Sequence, residues 1–496
     1  MAKVPNFVGM QYSRDGTFYA QEDYRFFNEQ YATSSYKETH NMKPALILKP
    51  KDDDDIISAI QWATEHKVAI AIKSGGHQYS GASSCGNENV QLDLSDTYKD
   101  MKIIDTPKIA VSEDRTLVFA AMGYFFQPGN APIFGLLGDY ITEIRMIDNE
   151  GKVKHIKKED KETAELFYAI LGGSPGNFGV ITHYTTMAFQ AKSYMGIENE
   201  IKTSDGTPKK FHGPHGMSDE NTAPRGFDLC VNVLSMDFPI TKLFPAFMND
   251  KNWEKLQGII ERILPDKIRA ILKGKLPPII VLYAQWCPLG DQQKYDESVD
   301  AWFEQFRALN KLDLGCFEFD EFDADMATMM VVERLKLICD PFEKLDDDNK
   351  VPIKNDLYDN CKISAQIQCF GGENSMFYKN GDNGTSYSWR DSAVIQTIDC
   401  WYSVNEKGEL MNQSNKLAND WQTKNDSVMI GESSCFSKTS RRVLWGSWGD
   451  WDMGNPEVWR TYYEDEAKYQ RLGRARMTAD PNGIFTANPF AVARQS

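Results

Sequence analysis

Apolar and polar positions change rhythm along the chain. Up to about Phe189, short apolar runs alternate with helical spacing. Ala45-Leu46-Ile47-Leu48 reads as a strand, Ile56 to Thr64 as a helix with one apolar stripe, and Val68-Ala69-Ile70-Ala71-Ile72 as a second strand. That order predicts an α/β layer. From about 190 to 440 the pattern is mixed, with strands predicted at Ile279–Ala284 and Ser364–Phe370 and an amphipathic helix at Asp296–Leu309. From Arg441 the chain is rich in Trp and Tyr, and a helix is predicted over Pro456–Met477 before a short coil. Thr203 to Arg225 has no periodicity and reads as an exposed loop, with His212 and His215 as solvated loop residues.

Composition narrows the picture. A chain of 496 residues exceeds one ordinary core, so two or three domains are expected. Its net charge of −16 argues against a nucleic-acid partner, since phosphate backbones need a basic surface. No apolar run approaches the ~20 residues of a membrane span. The start, Met1 to Val8, lacks the apolar core of a secretory signal. A soluble protein of the cytoplasm or another non-secreted compartment, with no membrane partner, is therefore expected. The nine cysteines show no C-x-x-C and no zinc spacing, so neither a metal nor a disulfide framework is expected. The acidic run Asp52 to Asp55 precedes the first helical pattern and reads as a helix N-terminus.

Three motifs carry chemistry. In the first, the strand Ala69 to Ile72 runs into Lys73-Ser74-Gly75-Gly76-His77-Gln78-Tyr79-Ser80. Paired glycines let a backbone approach a ligand and present N–H groups to anionic oxygens; a Gly-rich hairpin turn with a solvent-facing His reads equally well. In the second, a helix ends at Gly172-Gly173 and Ser174-Pro175-Gly176-Asn177-Phe178-Gly179-Val180 leads into a strand. Helix before strand is the reverse of a Rossmann turn, and no Walker Lys-Ser/Thr follows. The third, Asp480-Pro481-Asn482-Gly483-Ile484-Phe485 running on to Asn488, is by itself a helix stop and a turn.

Together, in this order and at these separations, the three motifs resemble the berberine-bridge-enzyme-like flavoproteins. The resemblance spans the first 190 residues and the last 60. It implies an α+β fold: a two-part FAD-binding domain of the vanillyl-alcohol-oxidase (PCMH) type and a substrate domain whose antiparallel sheet is covered by helices. The domains implied are 1–190 for FAD (PCMH-type about 39–190), 191–440 for substrate, and 441–496 returning to the FAD domain. FAD is the implied cofactor, joined through its 8α-methyl to His77. Ser74 to Ser80 would wrap the pyrophosphate and flavin edge, and Gly176, Asn177, Gly179 and Val180 would follow the adenosine and ribityl side. Gly138-Asp139 matches a family Gly/Ala-Asp step, and Asn488 a residue near the flavin ring.

Two departures refine the expectation. Asn130 stands where a second, cysteinyl flavin link would begin, and no Cys occurs between 86 and 229, so no such link is expected. Between Val111 and Gly138 the family's long Gly-rich segment is shortened. Trp448 occupies the place of a family Tyr and cannot accept a proton. The catalytic residues are thus unassigned, with Gln368 and Gln396 as substrate-cleft candidates. Gln366 and Gln368 share a strand face by alternation, although such positions equally suit a solvent-facing sheet. The function implied is hydride transfer from a small molecule, such as a sugar, alcohol or secondary metabolite, to flavin. The alternative is a catalytically impaired descendant that binds or scaffolds.

Overall fold

The computed structural model describes residues 3–16, 44–75, 83–86, 88–99, 101–105, 108–112, 135–173, 175–187, 227–235, 279–286, 361–370, 375–392, 394–402, 452–487 and 489–495, with a few isolated positions. By its contacts the chain forms two units: 1–200, 375–392 and 438–496 in one, 201–374 and 393–437 in the other.

The first unit begins with β1 (Met10–Ser13), β2 (Leu46–Lys49), α1 (Asp53–His66), β3 (Ile70–Lys73) and β4 (Val90–Asp93). They form a sheet in the order β1-β2-β4-β3, with β4 parallel to both β2 and β3 and β1 antiparallel to β2. Parallel strands covered by a helix read as unbroken apolar runs, and Leu46, Ile47, Leu48, Ile70, Ala71 and Ile72 are all buried. The acidic run starts α1, as the sequence predicts: Asp52 accepts from the Asp55 N–H at 3.2 Å, and three aspartates occupy the first turn. Asp55 is itself buried. Its carboxylate accepts from the backbone N–H groups of Val8, Gly9 and Lys51 and so fastens the N-terminal segment to the helix.

The second sheet contains β5 (Met101–Asp105), β6 (Lys108–Ser112), β7 (Ile141–Ile147), β8 (Val153–Lys157) and β9 (Val180–Met187), in the order β5-β6-β9-β7-β8 with every pair antiparallel. Helix α2 (Ala164–Ile170) and a short turn, Pro175–Asn177, lie between β8 and β9. An ion pair joins the two sheets: Arg145 on β7 reaches Asp53 on α1, and the Tyr98 hydroxyl donates to the same carboxylate.

The other unit holds β10 (Phe227–Ser235), β11 (Ile279–Trp286), β12 (Cys361–Cys369) and β13 (Val394–Tyr402), an antiparallel sheet in the order β11-β10-β12-β13. Between β12 and β13 the chain passes through α3 (Met376–Lys379) and the rest of 375–392, which belong to the first unit. The C-terminal part carries α4 (Pro456–Tyr462) and α5 (Glu466–Ala479). This corrects the single helix predicted over 456–477. Tyr463 is extended, and Asp465 starts a new helix by accepting from the Lys468 N–H at 2.6 Å, so two capped helices replace one. Among the described residues no helix is long and apolar enough to cross a membrane.

Burial pushes the Asp53 carboxyl up, but hydrogen bonds from Arg145 and Tyr98 outweigh it and hold the group below its ordinary 3.8. A depressed carboxyl adds stability that is present above its unfolded pKa and is lost as pH falls through the folded one. Asp53→Asn should therefore lower the melting midpoint at neutral pH, with a difference from the parent that shrinks below about pH 4. An equal loss at all pH values would show that Asp53 acts by packing alone.

Candidate functional site

The structure brings the three sequence motifs together. β3 carries the chain to Lys73, Ser74 and Gly75, all buried or nearly so. The Lys73 ammonium lies 3.1 Å from Asp93 at the end of the parallel neighbour β4, and both side chains are almost fully buried. The strand end therefore carries no uncompensated charge. Gly76, His77, Gln78, Tyr79 and Ser80 lie outside the described residues.

Opposite β3 is the Pro175–Asn177 turn. Among the described residues, a Cβ built on Gly176 would meet only the Ile72 Cβ, at an ordinary van der Waals distance of 3.9 Å, so this turn packs against β3. Asn177 is fixed differently: its amide donates to the Phe485 carbonyl at 2.7 Å. Gly179 has φ +154°, and a Cβ there would stand 2.6 Å from the Met146 Sδ and 2.9 Å from the Ile147 carbonyl. Close packing requires a glycine there. Val180 opens β9 inside the core formed with Ile147, Ile484 and Phe485.

The terminal motif closes the group. Asp480 caps the end of α5, accepting from the N–H groups of Ile484 (2.7 Å) and Phe485 (3.0 Å) and from Arg476 (3.3 Å). Arg476 also donates to Thr486 (2.7 Å) and the Val492 carbonyl (3.3 Å), and both charged side chains are fully buried. Burial brings the Arg476 guanidinium down to about 10, against the opposing charge of Asp480, so it stays cationic at neutral pH. The arm then docks on the first motif: the Ile70 N–H donates to the Ile484 carbonyl at 2.7 Å, and Ala487 packs with Ala71 and Cys85. Burial pushes the Cys85 thiol up, leaving it protonated and unreactive. Asn488 lies outside the described residues.

Gly138 and Asp139 serve another contact. The Asp139 carboxylate is fully buried and paired with Arg390 at 2.6 Å, while also accepting from the Leu136 N–H and Asn380. Gly138 lies against the Tyr387 ring, where a Cβ would collide. Both residues hold the 375–392 segment to the first unit.

In the other unit, register sorts the glutamine candidates. Gln368 stands opposite Cys230 and Ile395, and Gln366 opposite Asn232 and Thr397, so these positions share a face. Gln396 pairs with Ile367 and falls on the opposite face, so the structure does not bring it together with Gln368. Tyr283 joins the Gln368 rung through Cys230, Asp228 lies two positions along β10 on that face, and Asp399 stands opposite Ser364. These are polar and ionisable positions that the periodicity of β12 alone leaves out; pairing across strands is the signal that finds them. Gln368 is 3% exposed. Trp448 and residues 113–134 lie outside the described residues.

The first unit's residues fit FAD. The Gly176 backbone lies against the end of β3 with no side chain in the way, and among the described residues there the Asp93 carboxylate is neutralised by Lys73, which suits a pyrophosphate. Gly176→Ala should therefore fold like the parent, within about 0.5 kcal/mol. Gly176→Leu, whose larger side chain must press on Ile72, should cost about 1–3 kcal/mol. Gly179→Ala should cost about 1–3 kcal/mol from backbone strain and overpacking. Melting curves check this set; a Gly176→Leu or Gly179→Ala variant as stable as the parent would contradict it.

Known proteins agree with this reading. Residues 44–118 match the FAD binding domain family. FAD-linked oxidoreductase YvdP of Bacillus subtilis is 25% identical over 181 residues, covering 32% of this chain and 40% of the relative. Berberine bridge enzyme-like 18 of Arabidopsis thaliana is 27% identical over 196 residues, covering 34% and 36%. The chain thus spans under half the length of the curated relatives it matches. Over the whole chain the fold is similar to that of 6-hydroxy-D-nicotine oxidase from Arthrobacter nicotinovorans, with a TM-score of 0.53, 14% identity and full coverage of both chains. The chain therefore matches an FAD binding domain over residues 44–118, is similar in sequence to berberine-bridge-enzyme-like and other FAD-linked proteins, and shares the fold of that oxidase.

Proposed function

We propose that the protein is an FAD-dependent oxidoreductase that takes hydride from a C–H next to oxygen or nitrogen in a sugar, alcohol or secondary metabolite, with O₂ or another acceptor reoxidising the flavin. The observation that supports this reading is the meeting of three motifs far apart in sequence, where the Ile484 and Phe485 carbonyls accept from Ile70 and Asn177. FAD, when bound, supplies the two-electron chemistry, and the protein supplies binding, orientation and electrostatics. Ser74 and Gly75, continuing into the Gly76 to Ser80 loop, would hold the pyrophosphate and flavin edge by backbone N–H groups. His77 would tether the cofactor, and with no cysteine between 86 and 229 it would do so alone. Gly176 would let the turn's backbone lie along the adenosine and ribityl side of the cofactor, Asn177 would fix the arm carrying Asn488, and Gly138 and Asp139 would act through the packing they provide.

Oxidising an alcohol or amine also releases a proton, and a neutral Gln cannot take it near neutral pH. The reading therefore gives Gln366 and Gln368 a substrate hydrogen-bonding role. It gives proton removal to a carboxylate on their face of the sheet, Asp228 or Asp399.

The protein purified after incubation with FAD should show the visible absorbance of oxidised flavin, and the colour should stay with the polypeptide after acid precipitation. His77→Ala should release flavin into the supernatant. Flavin equally resistant to extraction from His77→Ala would remove the tether; a colourless wild-type protein would favour a binding or scaffold role.

A further inference from the structure

A second cavity lies in the first unit, away from the three motifs. It is a cleft of about 710 Å³ between α2, the 375–392 segment and the start of α5, and no residue of the flavin motifs lines it. Its size suits a small-molecule site. The local charge inverts that of the chain: five cations, Lys158, Lys379, Arg390, Lys468 and Arg471, stand against three carboxylates, in a protein with net charge −16.

The cations are held in place, not loose. Arg471 lies flat over the Tyr168 ring, 3.6 Å from its centroid, and grips Glu165 through Nε and Nη2 at 2.6 Å each, which leaves the Nη1 donors of its five-donor fork. Lys468 pairs with Glu464 and lies 3.4 Å from both the Tyr387 carbonyl and Ser388 Oγ. Arg390 is nine-tenths buried. Its Nη groups serve Asp139, the Phe377 carbonyl and Thr385, and its Nε–H has no acceptor. Lys158 packs its stem over Gly384, and among the described residues its ammonium has no carboxylate partner. Two of the three wall carboxylates are thus committed to cations. Burial and the charge of Asp139 raise the Tyr387 phenol, and burial raises that of Tyr168, so both remain donors at neutral pH.

We propose that this cleft is a second ligand site, distinct from the flavin site, that takes a small polyanion with a phosphate-type head. Such a head accepts many hydrogen bonds and favours clustered Lys and Arg. The concave, mixed wall with Tyr168 and Tyr378 favours a small molecule over a protein surface.

Inorganic pyrophosphate is the probe. Titrated calorimetrically into FAD-saturated protein at low salt, it should bind saturably at one site per chain and weaken as salt rises. The double reversal Lys158→Glu/Lys379→Glu should weaken binding at least about tenfold with flavin absorbance unchanged. If the reversal lowers the melting point, Lys158→Gln/Lys379→Gln serves in its place, with the same direction expected. No saturable binding by the parent overturns the proposal. So does undiminished binding by the charge variants, which would put the anion elsewhere. A protein that holds no flavin fails the flavin reading by its absorbance, while the same titration and variants still decide this one.

Discussion

The buried pair of Arg476 and Asp480 is the constraint on which the flavin site depends. Two full charges with no solvent exposure are tolerable only because each is paired and hydrogen-bonded. Asp480 spends its carboxylate on Arg476 and on two backbone N–H groups just beyond α5, while Arg476 spends its guanidinium on Asp480, Thr486 and the Val492 carbonyl. Removing one partner would strand the other, at about 3–5 kcal/mol. The pair therefore sets the path of the last fifteen residues. That path delivers the Phe485 carbonyl to Asn177 and the Ile484 carbonyl to Ile70.

From that one constraint the arrangement follows. The arm ties β3, which leads to His77, to the turn that carries Gly176. Strand and turn also touch directly, at Ile72 and Gly176. Asp55 and the Asp53–Arg145 pair do similar work for the first helix, joining the N-terminal segment and the second sheet to it. Paired and hydrogen-bonded polar groups fix the relations between elements that apolar burial alone would leave free to slide.

The sequence was most informative where local chemistry and fold agree. The apolar runs of β2 and β3, the aspartate start of α1, the strands at 279–286 and 361–369 and the glycine loops are all legible from spacing and turn residues. What was not legible depends on distance in sequence. Nothing near Asp139 announces Arg390, 251 positions away, so the packing that Gly138-Asp139 provides was not legible. Gln396 read as a neighbour of Gln368 because alternation gives a face within one strand only; the register between β12 and β13 separates them. The split of the terminal helix turned on a single competing cap, Asp465, inside an otherwise helical pattern. Identifying the family drew on motif order across the whole chain, which no single motif carries.

The central claim is that the three motifs form one FAD cradle. An experimental structure of the protein after FAD incubation tests it most directly. Cofactor density should run beside the end of β3 and past the Gly176 turn and be continuous with His77. Density at another place, or a cradle left empty in protein shown to contain flavin, would contradict it.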